Sequence, residues 1–151
     1  MKYVPGFAPP FLPETSGASD AAFDVDRQSL EAVIKARLGA AGAGSRSLHE
    51  LQTVANEHGL LSRYEGLHTF ARAVAFLASL PSECPRPEIS VDPDNEISFD
   101  WARGEDLFSI SIGPSGRLSF AFDINGTTES GVDFFSGALP HDVRSAIDAF
   151  R

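Results

Sequence analysis

Between Glu96 and Ile124 large apolar residues fall on every second position: Ile97, Phe99 and Trp101; Phe108, Ile110 and Ile112; Leu118, Phe120, Phe122 and Ile124. Ser98, Asp100, Ser109, Ser111, Ser119, Ala121 and Asp123 occupy the positions between. A period of two puts one set on each face of a sheet. Three turn sequences punctuate the runs: Asp92-Pro93-Asp94-Asn95, Arg103-Gly104-Glu105-Asp106 and Gly113-Pro114-Ser115-Gly116. Proline at the second turn position presets φ, and glycine suits the fourth. Connections this short make neighbouring strands antiparallel. Ile89 and Val91 begin the sheet, and Val132 and Phe134 add a fifth, edge strand, so the sheet is expected over 88–135.

Elsewhere the period is helical. Leu30, Val33, Ile34 and Leu38 share one face of a first helix, with Asp24 or Asp26 to cap it and Gly39 to stop it. The glycine-rich run from Gly39 that follows has no Gly-Lys-Ser/Thr ending and reads as a link. Ser47, with Glu50 three residues on, has the spacing of a capping box for a second helix carrying Leu48, Leu51, Val54 and Ala55. Glu57-His58-Gly59 ends it. A third helix from Tyr64 to Leu80 is broadly apolar and should lie against the sheet; Pro81 ends it. Pro140 starts a closing helix over 140–151 with Val143, Ala146, Ile147 and Phe150 on one face. The predicted fold is α+β. N-terminal helices over 26–80 pack on one face of a four- to five-stranded antiparallel meander, and a C-terminal helix closes a single domain over 26–151.

Ahead of that domain, Tyr3, Val4, Phe7, Phe11 and Leu12 alternate with Pro5, Pro9, Pro10 and Pro13, which predicts an extended arm over 1–25. Its apolar groups are expected to lie across its own domain, with a partner subunit as the alternative seat.

Composition narrows the functions. A chain of 151 residues can bury roughly 70% of the surface its unfolded form exposes. The net charge of −9 is uneven: residues 1–85 carry 7 basic and 9 acidic residues (−2), residues 86–151 carry 5 and 12 (−7). Such a half repels phosphate backbones, so direct nucleic-acid binding is not expected, and a basic partner is. One cysteine, Cys84, leaves no internal disulfide and no cysteine-based metal cluster. No apolar run approaches the roughly 18 residues of a membrane span, and the early prolines interrupt any signal-peptide core. A cytoplasmic protein without membrane contact is the expectation.

No catalytic motif stands out. His49, His58, His68 and His141 lack ligand spacing, so no metal and no cofactor is expected. A helix–turn–helix reader over 47–80 is disfavoured because the third helix offers only Arg72 as a basic residue. Asp92, Asp94, Asn95 and Glu96 bunch at one turn without the roughly 12-residue calcium loop. Asp100 and Asp123 share a predicted face. The outer sheet face is the unusual feature: its small serines leave a flat surface with little side-chain entropy to lose on docking. The candidate interaction surface is therefore Ser98, Asp100, Ser109, Ser111, Ser119 and Asp123, with Asp92 and Asp94 at the turn and Phe7 and Phe11 from the arm.

The stretch Pro87-Glu88-Ile89, then Glu96-Ile97-Ser98-Phe99-Asp100-Trp101 and its alternating strands to Ile124, resembles a β-meander of small bacterial accessory proteins. Members act as partners of other gene products, some in defence or toxin-type gene neighbourhoods. The resemblance implies a bacterial accessory partner and carries over no catalytic residues. The combined expectation is a non-enzymatic protein-binding module, in concrete form an immunity- or antitoxin-like partner of a basic effector. Three alternatives remain: a small-molecule binder or small enzyme with a site between helices and sheet near Tyr64, His68 and Arg72; an acidic DNA mimic; and a homo-oligomer sealed through the arm or the sheet.

Overall fold

The computed structural model describes residues 45–150. The predicted arm, with Phe7 and Phe11, and the predicted first helix lie outside the described residues. The described chain runs α1 (Ser45–Glu57), a short 3-10 turn (Leu60–Ser62), α2 (Tyr64–Ser79), β1 (Glu88–Val91), β2 (Ile97–Arg103), β3 (Asp106–Ile112), β4 (Arg117–Ile124), β5 (Thr127–Phe134) and α3 (His141–Phe150). The five strands pair antiparallel in chain order, as a meander. The α+β architecture read from the sequence holds.

Turn chemistry fixes the strand joints. Asn125 and Gly126 both take positive φ, 54° and 78°, as a two-residue hairpin between right-twisted strands requires. Gly116 closes the β3–β4 turn at φ 88°. Its carbonyl accepts from the Phe135 N–H at 2.8 Å, and a Cβ there would stand 2.8 Å from the Phe135 carbonyl oxygen. Glycine is thus required at 116 twice over, by its dihedral and by the close approach.

All three helices lie on one face. α1 packs on β1, α2 on β2 and β3, and α3 on β4. Ile89, Phe99, Ile110 and Phe120 form one buried cross-strand row beneath them, and Ile97, Ile112 and Leu118 another. Phe76 of α2 enters this layer, its ring centroid 5.0 Å from Phe99 and 5.8 Å from Phe135. Trp101 stacks on Phe108 at 5.2 Å and donates its indole N–H to the Pro85 carbonyl at 2.7 Å, so its one polar atom is satisfied. Burying a side chain of this size contributes about 1.5–3 kcal/mol. At the far end, Arg103 donates to the Phe150 and Ala149 carbonyls and sits 4.7 Å over the Phe150 ring, a cation at the negative end of α3.

One detail departs from the sequence reading. α1 begins at Ser45, so Ser47 lies inside the helix and is buried at 8% exposure. The expected Ser47/Glu50 capping box therefore does not start this helix; packing of its first turn draws the boundary forward. Phe134 faces outward at 62% exposure, while its neighbour Phe135 supplies the core at 2%.

Candidate interaction surface

The face of the sheet away from the helices is built by register. Pairing aligns Ser90, Ser98, Ser111, Ser119 and Val132 in one row across all five strands. The adjacent row is Glu88, Asp100, Ser109, Ala121 and Ser130, and the next is Ala102, Leu107, Asp123 and Thr128. Arg117 and Phe134 stand opposite each other at the far corner. Six of the singled-out residues, Ser98, Asp100, Ser109, Ser111, Ser119 and Asp123, thus fall on this one face.

The serine side chains are held in place. Asp92, the first residue of the β1–β2 connection, accepts from Ser98 with Oδ1 at 2.7 Å and from Ser111 with Oδ2 at 2.9 Å. The Ser98 and Ser111 hydroxyl oxygens lie 2.7 Å apart, so either hydroxyl can turn its single proton from Asp92 to the other. Ser98 is only 5% exposed, so its hydroxyl is a buried polar group fully satisfied inside the triad. Ser109 donates to Asp100, and Arg117 donates to Ser119 at 3.2 Å. Three apolar side chains stand proud of this low relief: Leu107 at 55%, Val132 at 54% and Phe134 at 62% exposure.

Asp100 and Asp123, read from the sequence as sharing a face, do so on β2 and β4 with β3 between them. Asp100 is engaged with Ser109, and Asp123 is exposed in the next row, opposite Leu107. Asp94 joins Asp92 and Glu96 at the turn, where one carboxylate oxygen from each lies within 4.8 Å of the others. Both Asp92 oxygens also accept from serine hydroxyls, which ties this turn to β2 and β3. Burial pushes the Glu96 carboxyl above its ordinary range, and the negative charges of Asp94 and Asp92 push the same way, against a lesser pull from Arg117. Glu96 also lies over Gly113, its Oε2 3.0 Å from where a Cβ would be.

On the other side of the molecule, Tyr64 and His68 pack edge to face at 4.6 Å along α2. Arg72, one turn further on, reaches across to Gly116. An open depression of about 420 Å³ is lined by Arg46, His49, Glu50 and Arg86 and by none of these three. Beneath α2 the space is filled by Phe76, Phe99, Phe135 and their neighbours. No helix among the described residues is long and apolar enough to cross a membrane.

Sequence reading found the serine positions but missed the part played by Asp92, Leu107 and Val132. A carboxylate that bridges hydroxyls six and nineteen residues away leaves no local signal. The alternation of β5 did carry one: Val132 and Phe134 have the parity of the serines, not of the core. Comparison of the chain with protein-family models, with curated proteins and with solved structures found no match.

Proposed function

We propose that this protein is a non-enzymatic binding module whose outer sheet face docks a basic protein, in the manner of an immunity or antitoxin partner that neutralises its effector. The observation that carries the reading is the serine face itself. Its hydroxyls are already fixed by Asp92, Asp100 and Arg117, so little side-chain entropy remains to be lost on contact. The exposed Leu107, Val132 and Phe134 give that face apolar contact area, and Asp94, Asp123 and Glu88 at its margins favour a positively charged counterpart.

The test is recovery of the tagged full chain from its native host, with two surface variants run in parallel. Ala121→Arg plants a long cation at the centre of the outer face; Gln52→Arg does the same on exposed α1. A basic protein should co-purify in stoichiometric amount with the wild type and with Q52R, and be lost with A121R. Recovery of the same protein with all three, or of none with any, defeats the reading.

A further inference from the structure

We infer that the outer edge of β5 accepts an extended, basic strand of the partner, added antiparallel to the sheet. The inference rests on the protein-binding reading above and specifies how such a partner would engage.

The two edges of the sheet differ. β1 is a 4-residue strand, flanked by Pro85, Pro87 and Pro93, with α1 packed on it. Such an edge is blunted against further pairing. β5 has 8 residues and no proline, and no described element pairs with its outer side. The hydrogen-bond phase of β5 follows from Phe135, whose N–H points back to the Gly116 carbonyl. Antiparallel pairing alternates, so Asp133, Gly131, Glu129 and Thr127 also turn their backbone groups toward β4. Thr128, Ser130 and Val132 turn theirs outward. Phe134 also points outward, but its N–H is already taken by the Asp133 carboxylate at 2.7 Å. The open stretch is therefore Thr128–Val132, enough for a short strand to pair.

Side chains specify what that strand carries. On the helix-side face β5 presents Glu129 and Asp133, both exposed, with Gly131 between them. On the outer face it presents Val132 and Phe134. A complementary strand places basic residues four apart on the first face, opposite the two carboxylates, and apolar residues on the second. Opposite Gly131 an aromatic residue would set its ring beside that of Phe120, which covers the glycine. Two other occupants fit less well. A second copy paired about a two-fold axis through Gly131 sets Glu129 against the copy's Asp133 twice over, on a molecule of net charge −9. The N-terminal arm has prolines at 5, 9, 10 and 13, which remove the donors a ladder needs.

The probe is the acetylated, amidated peptide Val-Lys-Val-Tyr-Thr-Lys-Thr, laid antiparallel from Phe134 to Thr128 and titrated by calorimetry against the full chain. Binding is expected to weaken with added salt and to fall about tenfold when both lysines become glutamates. Methylating the amide nitrogen of the second valine, which faces Val132, should abolish binding. Methylating that of the tyrosine, which faces Gly131 and points away, should leave it within about twofold. Glu129→Lys with Asp133→Lys should reverse the preference in favour of the glutamate peptide. Indifference to the position of the methyl group overturns the inference, as does absence of binding. So does a doubled mass at sedimentation equilibrium that the peptide fails to disperse. A natural partner lost with A121R but unmoved by E129K/D133K would sink strand addition and leave the outer-face reading standing.

Discussion

At Gly66 a single hydrogen decides the packing. A Cβ there would lie 2.0 Å from the Leu60 carbonyl oxygen, a backbone atom of a fully buried residue. Neither α2 nor the 3-10 turn can withdraw without opening the core around Leu60 and Leu67. Gly66→Ala, a favourable change in most helices, is expected to destabilise this one by about 3 kcal/mol, read as the shift of the urea midpoint. Glu96 is the residue whose charge opposes the fold. Its carboxyl titrates higher in the folded chain than its ordinary 4.5, so the folded state holds this proton more tightly than the unfolded one. Its contribution is complete below that ordinary value and is lost as pH rises through the raised one. Glu96→Gln keeps the shape and removes the charge. It should raise the melting temperature at pH 7 by roughly one or two degrees and leave it unchanged near pH 4.

The elements differ in how they are held. β2 and β3 have neighbours on both sides and α2 above them, whereas among the described strands β5 pairs with β4 alone. Its inner positions are Thr127, Glu129, Gly131 and Asp133, a polar set that a strand beneath a helix could not carry. Amide exchange should report this strand residue by residue. Glu129, Gly131 and Asp133, bonded to β4, are expected to exchange about tenfold or more slowly than Ser130 and Val132, whose N–H groups face outward. Equal rates along the strand would mean that its outer edge is already paired in solution. That alternation in β5 was present in the sequence, but its meaning was not. Val132 and Phe134 mark a strand; the pairing of Ile124 with Thr127 across the hairpin sets the register that puts Val132 opposite Ser119. The boundary of α1 is similar: Ser47 and Glu50 have the right spacing for a cap, yet burial of Ser47 places it in the first turn instead.

For the whole molecule, the distribution of apolar surface separates folding from binding. Phe134 and Phe135 are neighbours in sequence and opposite in duty. Phe135→Ala should cost about 3–5 kcal/mol, since Phe135 is buried against Phe76. Leu107→Lys, Val132→Lys and Phe134→Lys should each stay within about 0.5 kcal/mol of wild type in urea unfolding, because all three are more than half exposed. If any of the three proved as costly as F135A, the outer face would belong to the fold and not to a partner. The same separation appears in the charge. Asp94 at the turn and Glu129 and Asp133 on β5 are exposed, and the charge of Glu96 works against the fold.

By itself the sequence determined the strands, their order and their two faces. A period of two, broken by proline and glycine turns a few residues long, admits one meander and sends Ile, Phe and Trp to one side. It also determined that serine, not lysine or threonine, would populate the other side. Only the tertiary structure decided that these serines form continuous rows, that Asp92 ties two of them together from another strand's end, and that β5 stands last among the described strands of the sheet. Strand identity is a local property, written in neighbouring side chains and turn dihedrals. Register, long-range hydrogen bonds and the limits of helix cover depend on residues brought together from distant parts of the chain, and they are fixed only when the core closes.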